Sequence, residues 1–355
     1  MTQLQQGETM QLQGSERDFP AGWFQIGWSH ELARGDVRPL RFFGEDLVLC
    51  RYESGDVGLF DAYCPHMNAN IGFGGRTVGE RLACPYHGWQ FDRSGCNTHI
   101  PYSSRVSVSK GLRSWHVVEL GGSVILAWYG PDGTAPSFDP PGTDELPGMG
   151  ESTFCPVGPD TSRRYAELPM HIDFVTENTV DMSHFKFVHE TPEIGSILQL
   201  DPVDHRFHVR FSMPMKLYGP DGGGEVVDAV TEVTNWGLGL ILARFTDGAS
   251  LIQAQTPVDG NRCDVMMTMV LPRNASGSEV PTGEQLARFK MACRQVENDM
   301  VIWTHRRAGS QAHLVAEEIA PFKTFMKWKR QFYSAQPAAG SQTQRALRSE
   351  SEVGS

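Results

Sequence analysis

The segment that decides the fold is residues 64–89, CPHMNANIGFGGRTVGERLACPYHGW. It contains two Cys-His pairs: Cys64 with His66, and Cys84 with His87. A proline follows each cysteine, and a glycine follows the second histidine. A single pair would carry no meaning. Thiolate and imidazole are common metal ligands, however, so two pairs on turn-rich sequence indicate a metal site.

The order of the four candidate ligands separates two kinds of metal site. A zinc finger usually places both cysteines before both histidines. Two loops that each offer one thiolate and one imidazole suit a Rieske [2Fe–2S] cluster, in which one iron binds both cysteines and the other both histidines. We therefore expect such a cluster on Cys64, His66, Cys84 and His87. Structural zinc, or no metal, is the alternative.

The composition of the chain excludes several functions. A net charge of −11 over 355 residues argues against nucleic acid as the main partner, because phosphate binding requires a basic surface. No run of about 18 apolar residues is present, so we expect no membrane span. The start of the chain lacks a signal-peptide pattern, so we expect a cytoplasmic location with the remaining cysteines reduced.

The pattern of turns and apolar runs predicts two domains. Short strands separated by turn residues predict a small all-β domain at 18–130. Residues 129–142 are dense in proline and glycine and predict the linker to an α+β domain at 145–334. The polar segments 1–17 and 335–355 are predicted to be flexible.

The second domain combines helices with an antiparallel sheet. Residues 171–189 are expected to be helical, and apolar residues that recur every three or four positions predict a long helix at 281–308. Antiparallel strands are predicted at 206–214, 226–234, 239–246, 250–256 and 263–271.

A second candidate metal motif lies in TENTVDMSHFKFVHETPE, residues 176–193. Its candidate residues are Asn178, Asp181, His184 and His189. The two histidines are five positions apart, about 140° on a helix, so they can meet only if the helix bulges or ends between them. Two imidazoles and one carboxylate form the facial triad of non-haem Fe(II) oxygen chemistry. Two core histidines are the alternative interpretation.

Taken together, the two motifs resemble those of the terminal oxygenase subunit of Rieske non-haem iron oxygenases. The pattern D-x-x-H-x-x-x-x-H at 181–189 is similar to that family's iron motif, and the resemblance extends from about residue 22 to residue 333. Within the family, the chain most resembles the steroid type, which includes 3-ketosteroid 9α-hydroxylases and cholesterol 7-desaturases. This closer resemblance is carried by NTVDMSHFKFVH (178–189), DMVIWTHR (299–306) and FKTFMKWKRQFY (322–333).

The resemblance implies a helix-grip catalytic domain, a ring of three subunits and a third iron ligand on the long helix. Asp299 matches the family's ligand, and Glu297 is the rival, since both flank the apolar stripe of the helix. The family's counterpart of Asp181 links a cluster histidine of one subunit to an iron histidine of the next, here His87 to His184. Asn178 would hydrogen-bond near the iron or end the preceding strand.

The implied activity is attack by activated O₂ on a C–H bond of a hydrophobic polycyclic substrate, a steroid in the closest resemblance. Hydroxylation, desaturation and demethylation all begin with this attack. The chain shows no dinucleotide or flavin motif, so electrons are expected from a separate ferredoxin or NAD(P)H-dependent reductase. Substrates of aromatic or alkaloid type are the alternative, and a Rieske electron-transfer protein is the alternative from another class. The expected pocket is apolar, lined by Phe174, Met182, Phe185, Phe187, Val188, Trp236 and residues 265–271.

Overall fold

The structure is a computed structural model that describes residues 8–11, 19–218, 224–307 and 311–333. Its helices are α1 (Asp173–Glu177), α2 (Ser183–Val188), α3 (Glu284–Trp303) and α4 (Ala316–Lys329). Its strands are β1 (Glu8–Gln11), β2 (Gly22–Trp28), β3 (Val37–Phe42), β4 (Glu45–Arg51), β5 (Val57–Asp61), β6 (Arg76–Val78), β7 (Arg81–Ala83), β8 (Gln90–Phe91), β9 (Asn97–His99), β10 (Val117–Leu120), β11 (Val124–Tyr129), β12 (Ser162–Leu168), β13 (Ser196–Val203), β14 (Arg206–Tyr218), β15 (Gly224–Trp236), β16 (Leu240–Arg244), β17 (Ser250–Asp259), β18 (Arg262–Val270) and β19 (Gln311–Leu314).

The first half of the chain is all-β, as predicted. Its strands form three small antiparallel sheets, in the orders β10-β11-β2, β3-β4-β5 and β6-β7-β8-β9. The hairpin between β3 and β4 turns at Phe43 and Gly44, whose φ angles are 56° and 73°. Two successive positive φ angles give the turn the twist that suits a two-residue hairpin. The β6–β9 sheet carries the second Cys-His loop between β7 and β8.

The second half contains one antiparallel sheet of seven strands, in the order β12-β18-β17-β16-β15-β14-β13. The five predicted strands are all present in it, as β14 to β18. The two edge strands were not predicted. Both are largely exposed along their length, so neither sequence carries the alternation of apolar and polar residues that a half-buried strand shows.

The long helix α3 lies against one face of this sheet. It begins at Glu284 and ends at Trp303, within the predicted range. Its buried positions include Phe289, Cys293 and Val296, which belong to the predicted apolar stripe. An antiparallel sheet that holds a long helix is the arrangement expected of the catalytic domain.

The helix predicted at 171–189 is wrong in one respect, because it is two short helices. Between α1 and α2 the α-helical hydrogen-bond pattern gives way to bonds to the third preceding residue at positions 178–181. The Asp181 carboxylate Oδ1 then accepts the backbone N–H groups of Ser183 and His184, at 3.1 and 3.2 Å. These bonds satisfy donors that a new helix start leaves free. His184 lies within α2, whereas His189 follows the last residue of that helix. The helix therefore ends between the two histidines, which is one of the two ways in which their spacing allowed them to meet.

The two halves share a hydrophobic core. Strand β2 packs on β17, and Thr256 donates its hydroxyl to the Gln25 carbonyl at 2.6 Å. The linker is also anchored, since Trp23 donates its indole N–H to the Phe138 carbonyl at 2.8 Å. The segment 1–17, which was predicted to be flexible, contains β1, and this strand pairs with β19. The other segment predicted to be flexible, 335–355, lies outside the described residues. The seven-stranded sheet and α3 therefore share one core with β2, β4 and β11, whereas the cluster loops pack on a smaller, separate core.

Candidate metal centres

The two Cys-His loops fold in the same way. In each, the cysteine N–H donates to the carbonyl five residues later, Cys64 to Ala69 at 2.9 Å and Cys84 to Trp89 at 2.8 Å. In each, the residue four after the cysteine donates back to the cysteine carbonyl and has a positive φ, 55° at Asn68 and 70° at Gly88. These are residue types that adopt left-handed geometry at low cost.

This shared geometry brings the four candidate ligands to one tip of the domain. The Cys64 and Cys84 thiols are buried and close enough to interact, and neither is in a disulfide. The His66 and His87 rings meet edge to face, 4.7 Å between centroids. Trp89 stacks on His66 at 4.7 Å and 8°, which fixes the orientation of that imidazole. The two thiols are therefore next to each other, and so are the two imidazole rings.

A single zinc ion does not suit these positions. Four ligands of one zinc would have to approach within roughly 4 Å of one another. Within the described residues, a group of at least three histidine, cysteine, aspartate or glutamate side chains whose ligand atoms lie within 4.8 Å of one another occurs elsewhere in the chain. The four loop residues form no such group. Paired thiols beside paired imidazoles fit a cluster with two irons, one for each pair.

The group that does converge on a single point consists of His184, His189 and Asp299. His189 Nε2 lies 3.2 Å from Asp299 Oδ1, and the two imidazole centroids are 5.2 Å apart. Three atoms within 4.8 Å of one another leave a point no more than about 2.8 Å from each, so a small contraction reaches iron-ligand distances. Two imidazoles and one carboxylate are the donor set that holds non-haem iron.

Local structure orients the histidine rings differently. His184 Nδ1 bonds to the Asp181 carbonyl at 2.5 Å, which leaves Nε2 of that ring for a metal. His189 Nδ1 is buried and has no hydrogen-bond partner within the described residues. Burial lowers the pKa of His184 below its ordinary value, so this ring is neutral near pH 7, the form that binds a metal.

The structure separates the two acidic residues that the sequence left as rivals. Asp299 is buried and joins the two histidines. Glu297 points away from them and accepts the Tyr165 hydroxyl at 2.8 Å. The two positions are 200° apart around α3, so only one of them can face the histidines. This geometry places Asp299 at the candidate metal centre and Glu297 outside it.

A large cavity opens directly onto the His184, His189 and Asp299 group. Its volume is about 690 Å³, within the size range of small-molecule sites, and α3 covers it on one side. The floor is formed by alternate residues of β14 to β17. Among them are Phe211, Val233, Ile241, Ala243 and Leu251. This apolar floor suits a hydrophobic ligand, while the α3 side adds polar residues such as Arg288, Arg294 and Gln295.

The pocket predicted from the sequence is only partly correct. Phe185 lines the cavity, whereas Phe174 and Trp236 are buried in the core and Phe187 is 76% exposed. Residues 265–271 are buried within the sheet and do not line the cavity. The sequence predicts the strands from their apolar residues. It does not predict which apolar face of a strand borders the cavity and which packs against the core.

A second, smaller cavity of about 280 Å³ borders the same candidate ligands from another side. His184 and Asp299 line both cavities, and so does Asn178, whose side-chain oxygen accepts the Trp303 indole N–H at 3.4 Å. Asp181 lines the smaller cavity. Its Oδ2 has no hydrogen bond within the described residues, so one carboxylate oxygen is available there.

Comparisons with known proteins agree with these two centres. The model for the Rieske [2Fe–2S] domain matches residues 22–115, and the model for the 3-ketosteroid 9alpha-hydroxylase C-terminal domain matches residues 127–333. Dicamba monooxygenase bound to 3,6-dichlorosalicylic acid has the same fold, with a TM-score of 0.68 at 18% identity over 87% of this chain and 96% of that chain. The fold and the two donor sets define a Rieske-type oxygenase, an oxidoreductase whose cofactors are a [2Fe–2S] cluster and a mononuclear non-haem iron.

Named relatives narrow the class further. Cholesterol 7-desaturase from Xenopus laevis is 29% identical over 344 residues, covering 89% of this chain and 72% of the relative. The oxygenase component of 3-ketosteroid-9-alpha-monooxygenase from Rhodococcus rhodochrous is 25% identical over 335 residues, covering 89% and 84%. The chain belongs to the family defined by the 3-ketosteroid 9alpha-hydroxylase C-terminal domain. None of the described helices is both long and apolar enough to cross a membrane.

Proposed function

We propose that this chain is the oxygenase component of a monooxygenase that hydroxylates, desaturates or demethylates a steroid at a C–H bond. The observation that carries the proposal is the cavity of about 690 Å³ that contains His184, His189 and Asp299 on its wall. The steroid class is supported by the names of the relatives that cover most of the chain. The solved structures with aromatic ligands share the fold at 17–18% identity and support no substrate assignment.

Each candidate residue has a role in this proposal. Cys64, His66, Cys84 and His87 hold the cluster. His184, His189 and Asp299 hold the iron, which when bound supplies the site for O₂ activation next to the substrate. An iron held by these three residues would keep coordination positions free for O₂, and the three residues line the large cavity. The apolar walls orient the substrate and exclude water from the reaction.

Asp181 and Asn178 support the iron site in this proposal. Asp181 has an uncommitted carboxylate oxygen at the smaller cavity, where it can accept the free ring N–H of a cluster histidine, His87, from a neighbouring subunit in a ring of three. Asn178 presents its amide beside the iron ligands while Trp303 restrains it. The seven cysteines are all unpaired, which suits the reducing cytoplasm that we propose for the protein.

The electrons come from a separate ferredoxin or NAD(P)H-dependent reductase in this proposal. Among the structural neighbours, carbazole 1,9a-dioxygenase was solved as a complex between its oxygenase and a ferredoxin. A protein that only carries electrons would not need the second donor set or the large cavity. The sharpest distinction between the two functions is therefore whether a substrate is oxidised.

A panel of sterols, 3-ketosteroids, aromatic compounds and alkaloids, each incubated with the reconstituted chain, a surrogate reductase and NADH, tests this proposal. Product mass separates the reactions: gain of one oxygen, loss of two hydrogens, or net loss of CH₂ where a methyl group is replaced by hydrogen. The Asp299→Ala variant is the matched control, since it retains the cluster loops. Turnover of aromatic or alkaloid compounds with none of the steroids would reject the steroid assignment, and no turnover of any compound would reject the oxygenase function.

A further inference from the structure

The short helix α1, which immediately precedes the iron-binding segment, carries two buried carboxylates. Asp173 is 0% exposed and Glu177 is 2% exposed. A helix of five residues has almost no stability of its own, and an unpaired buried carboxylate costs several kcal/mol. Contacts from elsewhere in the chain must therefore hold α1 in place.

Those contacts come from the C-terminal part of the chain. Lys329, at the end of α4, places its Nζ 2.8 Å from Asp173 Oδ2 and 3.4 Å from Glu177 Oε1. Arg306, just after α3, donates to Glu177 Oε2 at 2.8 Å. The Tyr333 hydroxyl donates to Asp173 Oδ1 at 2.5 Å. We call these five residues the α1 clamp; it contains two cations and two carboxylates.

The pKa of each carboxylate in the clamp is affected in opposite directions by burial and by the neighbouring cations. Burial alone would raise the pKa of Asp173, but Lys329 and His171 nearby hold that pKa below its ordinary value. Burial raises the pKa of Glu177, against the opposing effect of Lys329 and Arg306. Removal of Lys329 would leave two neighbouring buried carboxylates with one cation, so α1 would have to shift or take up a proton.

The clamp is continuous with the iron site. Glu177 adjoins Asn178, which accepts a hydrogen bond from Trp303, one helical turn after Asp299 on α3. Glu177 and Arg306 also line the smaller cavity together with both His184 and Asp299. A displacement of α1 would therefore be transmitted to the segment that carries the histidine ligands.

We propose that the α1 clamp positions the iron ligands, and that Lys329 is a positioning residue of the iron site although it touches none of the ligands. The inference rests on the proposed iron site. Residues that orient metal ligands from outside typically contribute 10- to 100-fold to metal affinity. Because the clamp acts through α1, we expect the lower end of that range.

The experiment compares Lys329→Met with Arg164→Met in the full-length chain with its cluster assembled. Arg164 is the control because its Nε donates at 2.7 Å to Asp264, a carboxylate that is 0% exposed on β18 of the same domain, and neither residue belongs to the α1 clamp. Fe(II) affinity is measured by competition with a chelator, cluster integrity by its visible absorbance, and stability by thermal unfolding. Both variants should unfold at a lower temperature than the parent.

We expect Lys329→Met to weaken Fe(II) binding about tenfold with an unchanged cluster spectrum, and Arg164→Met to leave Fe(II) binding unchanged. Equal affinities in the parent and Lys329→Met would overturn the inference, as would equal weakening in both variants. If Lys329→Met does not fold, Tyr333→Phe removes only one clamp hydrogen bond, and unchanged Fe(II) binding in that variant would count against the clamp. Failure of the parent itself to bind Fe(II) would instead refute the proposed function.

Discussion

Replacement of Asp299 by alanine should remove mononuclear iron while the cluster stays intact. The carboxylate supplies the only negative charge among three donors that lie within 4.8 Å of one another. An opposite charge about 4 Å away contributes about 4 kcal/mol at an effective dielectric constant near 20, and a metal ligand lies closer than that. Its loss should weaken Fe(II) binding at least about a thousandfold, since each 1.4 kcal/mol is a factor of ten.

Glu297→Gln is the matched control for Asp299→Ala. It alters an acidic residue two positions away on the same helix, and it weakens only the hydrogen bond from Tyr165, worth about 1 kcal/mol of stability. Fe(II) affinity is measured by chelator competition, with the visible absorbance of the cluster recorded in the same samples. The reasoning is refuted if Asp299→Ala binds Fe(II) like the parent, or if Glu297→Gln loses it.

Three further predictions concern the other parts of the site. Asp181→Asn should retain both metals but slow the substrate-dependent reoxidation of the reduced cluster 10- to 100-fold, because the proposed contact with His87 of a neighbouring subunit loses its charge; an unchanged rate by stopped-flow absorbance would contradict this. Ala243→Leu should weaken steroid binding about tenfold without changing iron content, since the added carbons fill the cavity floor; difference spectra measure it, and equal affinity would show that the steroid binds elsewhere. Burial raises the pKa of the Cys64 thiol to about 11, so a metal held by the Cys64 and Cys84 thiol pair must release that proton. The Co(II) affinity of this thiol pair in the cluster-free chain should therefore rise at least about tenfold per pH unit near neutrality; a pH-independent titration of the thiolate–cobalt absorbance would contradict it.

Much of the first metal centre could be predicted from sequence because its geometry is local. The four ligands lie on two short loops, and each loop closes through hydrogen bonds within six residues. The requirement for positive φ at Asn68 and Gly88 is visible as residue types that tolerate it. Spacing and composition therefore contain most of the information that determines these loops.

The second centre depends on contacts between distant parts of the chain. The five-residue spacing of His184 and His189 predicted a helix end between them, but not the restart that Asp181 supports. Periodicity could not choose between Asp299 and Glu297, because the choice depends on which strand lies beside α3; Tyr165 occupies the side that Glu297 faces. The edge strands and the cavity walls were missed for the same reason, since burial there is decided by tertiary packing.

The central claim is that one chain carries two separate iron sites. Its most direct test is chemical analysis of iron and acid-labile sulfide in a single reconstituted sample, with the EPR spectrum of the reduced protein recorded alongside. We expect iron to exceed sulfide by one atom per chain, together with the signal of a reduced Rieske cluster. Equal amounts of iron and sulfide would contradict the second site, and zinc without sulfide would contradict both.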